Sequence, residues 1–295
     1  MGLLFAGQEE KVDALAEEIF ARQFAKDPKL GQEYDERRKR LMLQDIRYNI
    51  VCLQTALEYD AEEIFRDYAR WICILLLHLM PDLGEERVKE QLIKHYLLLG
   101  QVLAEKIPQD EAKIMCHIAN ALEVTRQTVI AEQPAENSKY AQVRQEYLQY
   151  LLQRDRHGAV KYINSVVQSG VPLLNVYTNI LQKVMHEVGD MWHRNKITVA
   201  TEHYCTSVTQ TIIAQFYPQI FSGPRNGKTL LACCVGTELH EIGMLMVCDI
   251  FELNGWDTVY LGAACPSSSV ISAIVENKPD LVALSVTMPH HLTQC

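Results

Sequence analysis

Long apolar runs are missing from this chain, and that absence excludes the most. The longest, such as Trp71–Met80 (WICILLLHLM), fall short of the roughly 20 residues that cross a bilayer, so no membrane partner is expected. A basic excess is missing too. The 28 Lys and Arg face 37 Asp and Glu, for a net charge of −9, and no basic stripe offsets it. Direct nucleic-acid binding is therefore not expected. Nine cysteines are present but none shows CxxC spacing, so neither a zinc site nor a disulfide framework is indicated. A reduced, cytoplasmic protein follows. No basic leader precedes the apolar patch of MGLLFAGQEE, so no signal peptide is expected, and Ala6 stands where a myristoylation signal wants Ser or Thr. No GxGxxG follows a strand-like run, and no Ser-His-Asp or Cys-His-Asn order appears.

What is present divides into three segments. Residues 1–131 carry apolar positions at three- and four-residue spacing in five stretches: Lys11–Ala25, Asp35–Glu58, Ala61–Met80, Glu85–Lys106 and Glu111–Ile130. This is an all-helical module. Glu132–Lys139 (EQPAENSK) reads as a polar linker. Residues 140–221 hold four more helical stretches, Tyr140–Arg154, Gly158–Gln168, Pro172–Trp192 and Val199–Phe221, with the short connections of an antiparallel four-helix bundle. From residue 228 to 295 the period changes. Strands at Thr229–Val235, Asp257–Leu261 and Leu281–Val286 alternate with helices at Leu239–Leu253 and Ser267–Glu276, the pattern of a doubly wound parallel sheet. The fold class is thus α plus α/β, with the sheet ending after its third strand, short of the roughly 110–140 residues of a complete unit.

Two groups of residues carry chemistry. Glu238-Leu239-His240-Glu241-Ile242-Gly243 follows the first strand, on the edge where open α/β sheets bind ligands. A carboxylate two residues before a histidine can take the proton of one ring nitrogen and leave the other for a metal. Trp192 ends one bundle helix, and Glu202-His203 open the next behind Thr198, a candidate N-cap. Taken alone, these three read as a core plug, a capping carboxylate and a solvated histidine. His78, His95 and His117 read as packed or surface side chains, and His290-His291 as exposed.

Together the two groups resemble the cobalamin-dependent photoreceptors and regulators of bacteria. The likeness rests on Trp192, Glu202-His203 and Glu238-x-His240-x-x-Gly243. Val188-Gly189-Asp190-Met191-Trp192, Ile197–His203, Asn254-Gly255-Trp256 and Leu284–Pro289 (LSVTMP) support it, across roughly Tyr140–Cys295. The resemblance implies a flavodoxin-like cobalamin domain in which His240 is the lower ligand to cobalt. Glu238 would be its orienting acid, where the wider family usually has Asp. Gly243 would let the helix approach the ring, and Ser285 would lie near the nucleotide tail. Thr287 stands where the general pattern has Leu. Trp192 would cover the upper face, with Glu202 and His203 against an adenosyl group and His193 able to reach the face once vacated. The Gly-Gly segment that lines the tail slot in the family is not reached before Cys295. The chain is then expected to be a truncated product or to need a partner that completes the sheet.

Family members place a DNA-binding helix-turn-helix ahead of the bundle, but residues 1–131 show no recognition helix and suit dimerisation or contact with a signalling partner. The implied function is a non-enzymatic, cobalamin-binding sensor in signal transduction and transcription regulation. Adenosylcobalamin is the expected cofactor, with methylcobalamin the alternative, and light the expected signal. The competing readings are a corrinoid methyl carrier of a methyltransferase system and a scaffold that has lost its corrin.

Overall fold

In the computed structural model of the chain, residues 9–130 and 139–295 are described. The expected linker lies almost wholly outside them, as do residues 1–8. The chain forms two compact units, Met1–Ala131 and Glu132–Cys295, each described here by itself.

The first unit is helical, as its periodicity requires: α1 (Glu9–Lys26), α2 (Leu30–Glu33), α3 (Glu36–Tyr59), α4 (Glu62–Leu79), α5 (Glu85–Lys106) and α6 (Glu111–Gln127). Asp35 accepts a hydrogen bond from the Arg38 amide and starts α3. Helices α5 and α6 pack closely at Gly100, where a Cβ would stand 2.8 Å from Ile118 Cγ1. One core runs from Ile19 through Ile50, Phe65, Tyr96 and Leu99 to Ile118. Beside it lies a charged hub. The Arg87 guanidinium pairs with Asp27 at 2.9 Å, Glu33 at 2.8 Å and Glu90 at 3.0 Å.

The second unit begins with the bundle: α7 (Ala141–Leu152), α8 (Arg156–Gln168), α9 (Leu173–Asn175), a π-helical segment (Val176–Leu181), α10 (Gln182–His193), α11 (Val199–Ala214) and the short α12 (Tyr217–Ile220). The single helix expected over Val199–Phe221 is broken at Gln215 and Phe216, where the hydrogen bonds tighten to three-residue steps. The sheet follows. Strands β1 (Thr229–Cys234), β2 (Asp257–Tyr260) and β3 (Leu281–Ser285) are parallel in the order β2-β1-β3, with α13 (Ile242–Leu253) and α14 (Ser267–Asn277) between them. That order opens the flavodoxin-like pattern and puts the switch point between β1 and β3.

β1 explains why both faces are covered. Leu230, Ala232 and Cys234 pack with Met244 and Cys248 of α13, while Leu231 and Cys233 pack with Val270 of α14. Met246 of α13 joins the bundle core of Tyr147, Tyr177, Val188 and Ile212, so bundle and sheet share apolar packing. The turn Asn254-Gly255-Trp256 needs its glycine. Gly255 has φ +85°, and a Cβ there would lie 2.6 Å from the Pro224 carbonyl. β3 is an edge strand, and Leu281, Val282 and Leu284 are exposed on it. Among the described residues no helix is long and apolar enough to cross a membrane.

Candidate cobalamin site

The loops after β1 and β3 leave the sheet side by side at the switch point, and Glu238 joins them. Its side chain is only 1% exposed. One carboxylate oxygen accepts from the Leu239 amide (3.0 Å), the His240 amide (3.1 Å) and His240 Nδ1 (2.5 Å). The other accepts from the amides of Thr287 (2.9 Å) and Met288 (2.8 Å) on the loop after β3. Burial alone would push this carboxyl up, but the amides of Met288, His240 and Thr287 and the imidazole outweigh it and hold it at about 2. Glu238 is therefore an anion that only accepts, so His240 Nδ1 must carry the proton it shares. In the neutral imidazole the lone pair then lies on Nε2, on a side chain 60% exposed.

This geometry corrects two expectations. The helix expected from Leu239 begins at Ile242, because Leu239 and His240 wrap their amides around the carboxylate instead of entering a helical turn. The expected exposed pair His290-His291 lies in a 3₁₀ turn, Pro289–Gln294, with rings 4.0 Å apart. His291 is buried, and burial pushes its imidazole down, against the raising influence of the Glu238 charge. Neither this turn nor the anchoring of Thr287 and Met288 was foreseen. The clue was only that Thr287 follows Ser285 on a loop leaving the same sheet edge. His95 and His117 prove buried, within the range expected of them.

The remaining predicted residues fall into two places. Ser285 ends β3 opposite Cys234, whose thiol reaches the His240 carbonyl at 3.7 Å. Gly243 lies in the first turn of α13, and an added Cβ there would meet no atom within 4 Å. Trp192, His193, Glu202 and His203 gather at the α10–α11 junction. Thr198 is the N-cap, its hydroxyl accepting from the Thr201 amide, so Glu202 falls in the first turn of α11. There Glu202 binds His203 Nδ1 at 2.6 Å and the Thr206 hydroxyl at 2.9 Å. Two buried or half-buried links tie bundle to sheet: Gln210 donates to Glu241 at 2.8 Å, and the Tyr177 hydroxyl to Asp249 at 2.7 Å. Tyr177 sits in the π-helical segment that leads into α10, and such segments recur at functional sites.

A carboxylate-held imidazole at a switch point, with a bundle packed on the following helix, defines a module able to ligate a transition-metal cofactor through one axial nitrogen. Comparison with known proteins names the cofactor. Residues 143–217 and residues 228–295 each match a family model described as B12 binding domain. The HTH-type transcriptional repressor CarA of Myxococcus xanthus is 33% identical over 90 residues, covering 30% of this chain and 31% of that protein. The HTH-type transcriptional repressor CarH of the same organism is 29% identical over 121 residues, covering 40% and 39%. The chain thus spans between about three and four tenths of the length of these relatives. A monomethylamine corrinoid protein of Methanosarcina barkeri aligns over 51% of this chain and 73% of its own, with a TM-score of 0.45 and 16% identity, too distant to carry an argument. The two B12 binding domain matches mark residues 143–217 and 228–295 as cobalamin-binding domains, and the chain is similar over part of its length to the two repressors. Both relatives are named as repressors with a helix-turn-helix, so they lend no support to the expectation that nucleic acid is not a partner.

Proposed function

We propose that this protein is a light sensor that holds adenosylcobalamin between its bundle and its sheet and passes the signal on by changing its contacts. The observation that carries the reading is the Glu238-held imidazole of His240, whose free Nε2 is exposed next to a bundle packed on α13. The residues fit the cofactor. His240 would supply one nitrogen donor to cobalt, Glu238 would keep the tautomer fixed, and at Gly243 an added Cβ would meet no atom within 4 Å, which leaves the start of α13 open on that side. Ser285 and the loop held by Glu238 would border the nucleotide tail. Trp192, with Glu202 and His203 beside it, would cover the opposite face, and His193 would take the place of a departing upper ligand. When bound, the cofactor supplies a cobalt–carbon bond that light cleaves. The chain's own part is to hold the two faces and to repack α10 when the cap loses its support, with Tyr177–Asp249 and Gln210–Glu241 joining bundle to sheet. Regulation of transcription would then pass through partners or nucleic acid recruited by that change.

The test is a visible spectrum and a sedimentation profile, taken in the dark and after illumination, of protein loaded with adenosylcobalamin. Both should change on illumination, and His240→Ala should lose the spectral signature of lower-face nitrogen coordination. A spectrum matching that of the free cofactor, unaffected by His240→Ala, would refute the assignment of the ligand. A bound complex indifferent to light would refute the sensor.

A further inference from the structure

Helix α3 carries its charge the wrong way round for a helix standing alone. Arg37, Arg38, Lys39 and Arg40 crowd its first turns, where the helix dipole is positive, and outnumber Asp35 at the N-cap and Glu36 beside it. Its last turn has no basic residue and carries Glu58, with Asp60 as the C-cap and Glu62 and Glu63 just beyond. Arg38 is paired with Asp82, and Lys39 with Glu36. Arg37, Arg40 and Glu58 are exposed and have no ion pair among the described residues. Between these ends runs a stripe at alternating four- and three-residue steps: Arg37, Leu41, Gln44, Tyr48, then, past Val51, which packs partly on the unit's own core, and the buried Thr55, Glu58. Leu41 and Tyr48 are large apolar side chains left exposed, and the neighbouring α4 adds exposed Trp71 and Leu79.

We infer that the occupant of this face is a second copy of the chain, its α3 lying antiparallel across a two-fold axis near Tyr48 and Asn49. That axis sets Arg40 of each copy beside Glu58 of the other, and Arg37 beside Asp60. It also opposes the two helix dipoles, so the charges that disfavour the single helix favour the pair. A two-fold contact must be self-complementary, and a stripe basic at one end, acidic at the other and apolar between meets that condition. Twenty-four residues make a helix about 36 Å long, so an antiparallel pair can meet along the whole stripe. This inference does not rest on the cobalamin reading.

Sedimentation velocity of the full chain, free of cofactor and in low salt, tests it across a concentration series. The wild type should dimerise. Tyr48→Glu, a change at an exposed site, should give monomers with unchanged helical circular dichroism. Arg40→Glu and Glu58→Arg should each weaken the dimer by on the order of tenfold in Kd, since each sets like charges together twice in the interface. Combined in one chain they should restore it, because the two-fold axis pairs each reversed charge with the other. A wild type that stays monomeric overturns the inference. So does a dimer indifferent to Tyr48→Glu, or one that the double reversal fails to recover.

Discussion

Glu238→Gln keeps the volume of the side chain and removes its charge, and the geometry sets the cost. The carboxylate accepts five hydrogen bonds through two oxygens, three from one side and two from the other. Glutamine has one oxygen and one NH₂, so whichever way it turns, a donor meets donors. If the NH₂ faces Thr287 and Met288, two buried amides lose their acceptor, at about 1–3 kcal/mol each. A second estimate comes from the carboxyl itself. Its fall from 4.5 to about 2 corresponds to about 3 kcal/mol at neutral pH. That stability is complete above the unfolded value of 4.5 and is lost as pH falls through about 2. The two routes agree at about 3 kcal/mol, which is roughly a hundredfold in a local opening equilibrium. Because the chain has two units, hydrogen exchange resolved to residues 286–288 is the suitable assay, in protein free of cofactor. Glu238→Gln should raise exchange there about a hundredfold, while His240→Ala, which keeps the carboxylate and its bonds to Thr287 and Met288, should raise it far less. Equal protection in wild type and Glu238→Gln would refute the reasoning. It would mean that the carboxylate orients the imidazole only and does not hold the loop after β3.

Two further tests follow from buried charges. Burial raises the Asp249 carboxyl to about 6, against the lowering effect of the Tyr177 hydroxyl, so the folded unit holds a proton there that the unfolded chain releases near 3.8. Protection of α13 should therefore fall by about 2–3 kcal/mol as pH rises from about 4 to 6, the sense opposite to Glu238, and Asp249→Asn should abolish the fall. A slope unchanged in Asp249→Asn would reject that carboxyl as its source. In the first unit, Arg87→Met leaves Asp27, which the guanidinium holds at about 2, and Glu33 without their main partner. Breaking a buried pair on one side costs about 3–5 kcal/mol, so thermal unfolding of that unit should shift down by about 10 °C or more. A shift of a degree or two would show the hub to be solvated.

How far residues alone could be read depended on how local the controlling interaction was. Periodicity located the long helices, since each buries one face. The β1 and α13 pattern was readable because a strand buried on both sides is a continuous apolar run, here Leu230–Cys234. The Glu238–His240 pair could be proposed because a two-residue spacing sets its contact. The break after Ala214 and the π-helical segment at Val176–Leu181 had no such marker.

The second role of Glu238 shows why the rest was hidden. Its partners on the loop after β3 lie fifty residues away and are backbone amides, which every residue but proline possesses. No choice of side chain at Thr287 or Met288 advertises them. What makes the bonds form is the strand order, which brings the carboxyl ends of β1 and β3 together at the switch point. A carboxylate leaving β1 with one oxygen on its own loop therefore has its other oxygen facing whatever leaves β3. The same loop buries His291, read by itself as a solvent-exposed residue, within the electrostatic reach of Glu238 and His240. The lower-ligand loop and the loop after β3 are accordingly one structural element. A substitution on either side of it should be felt at the imidazole.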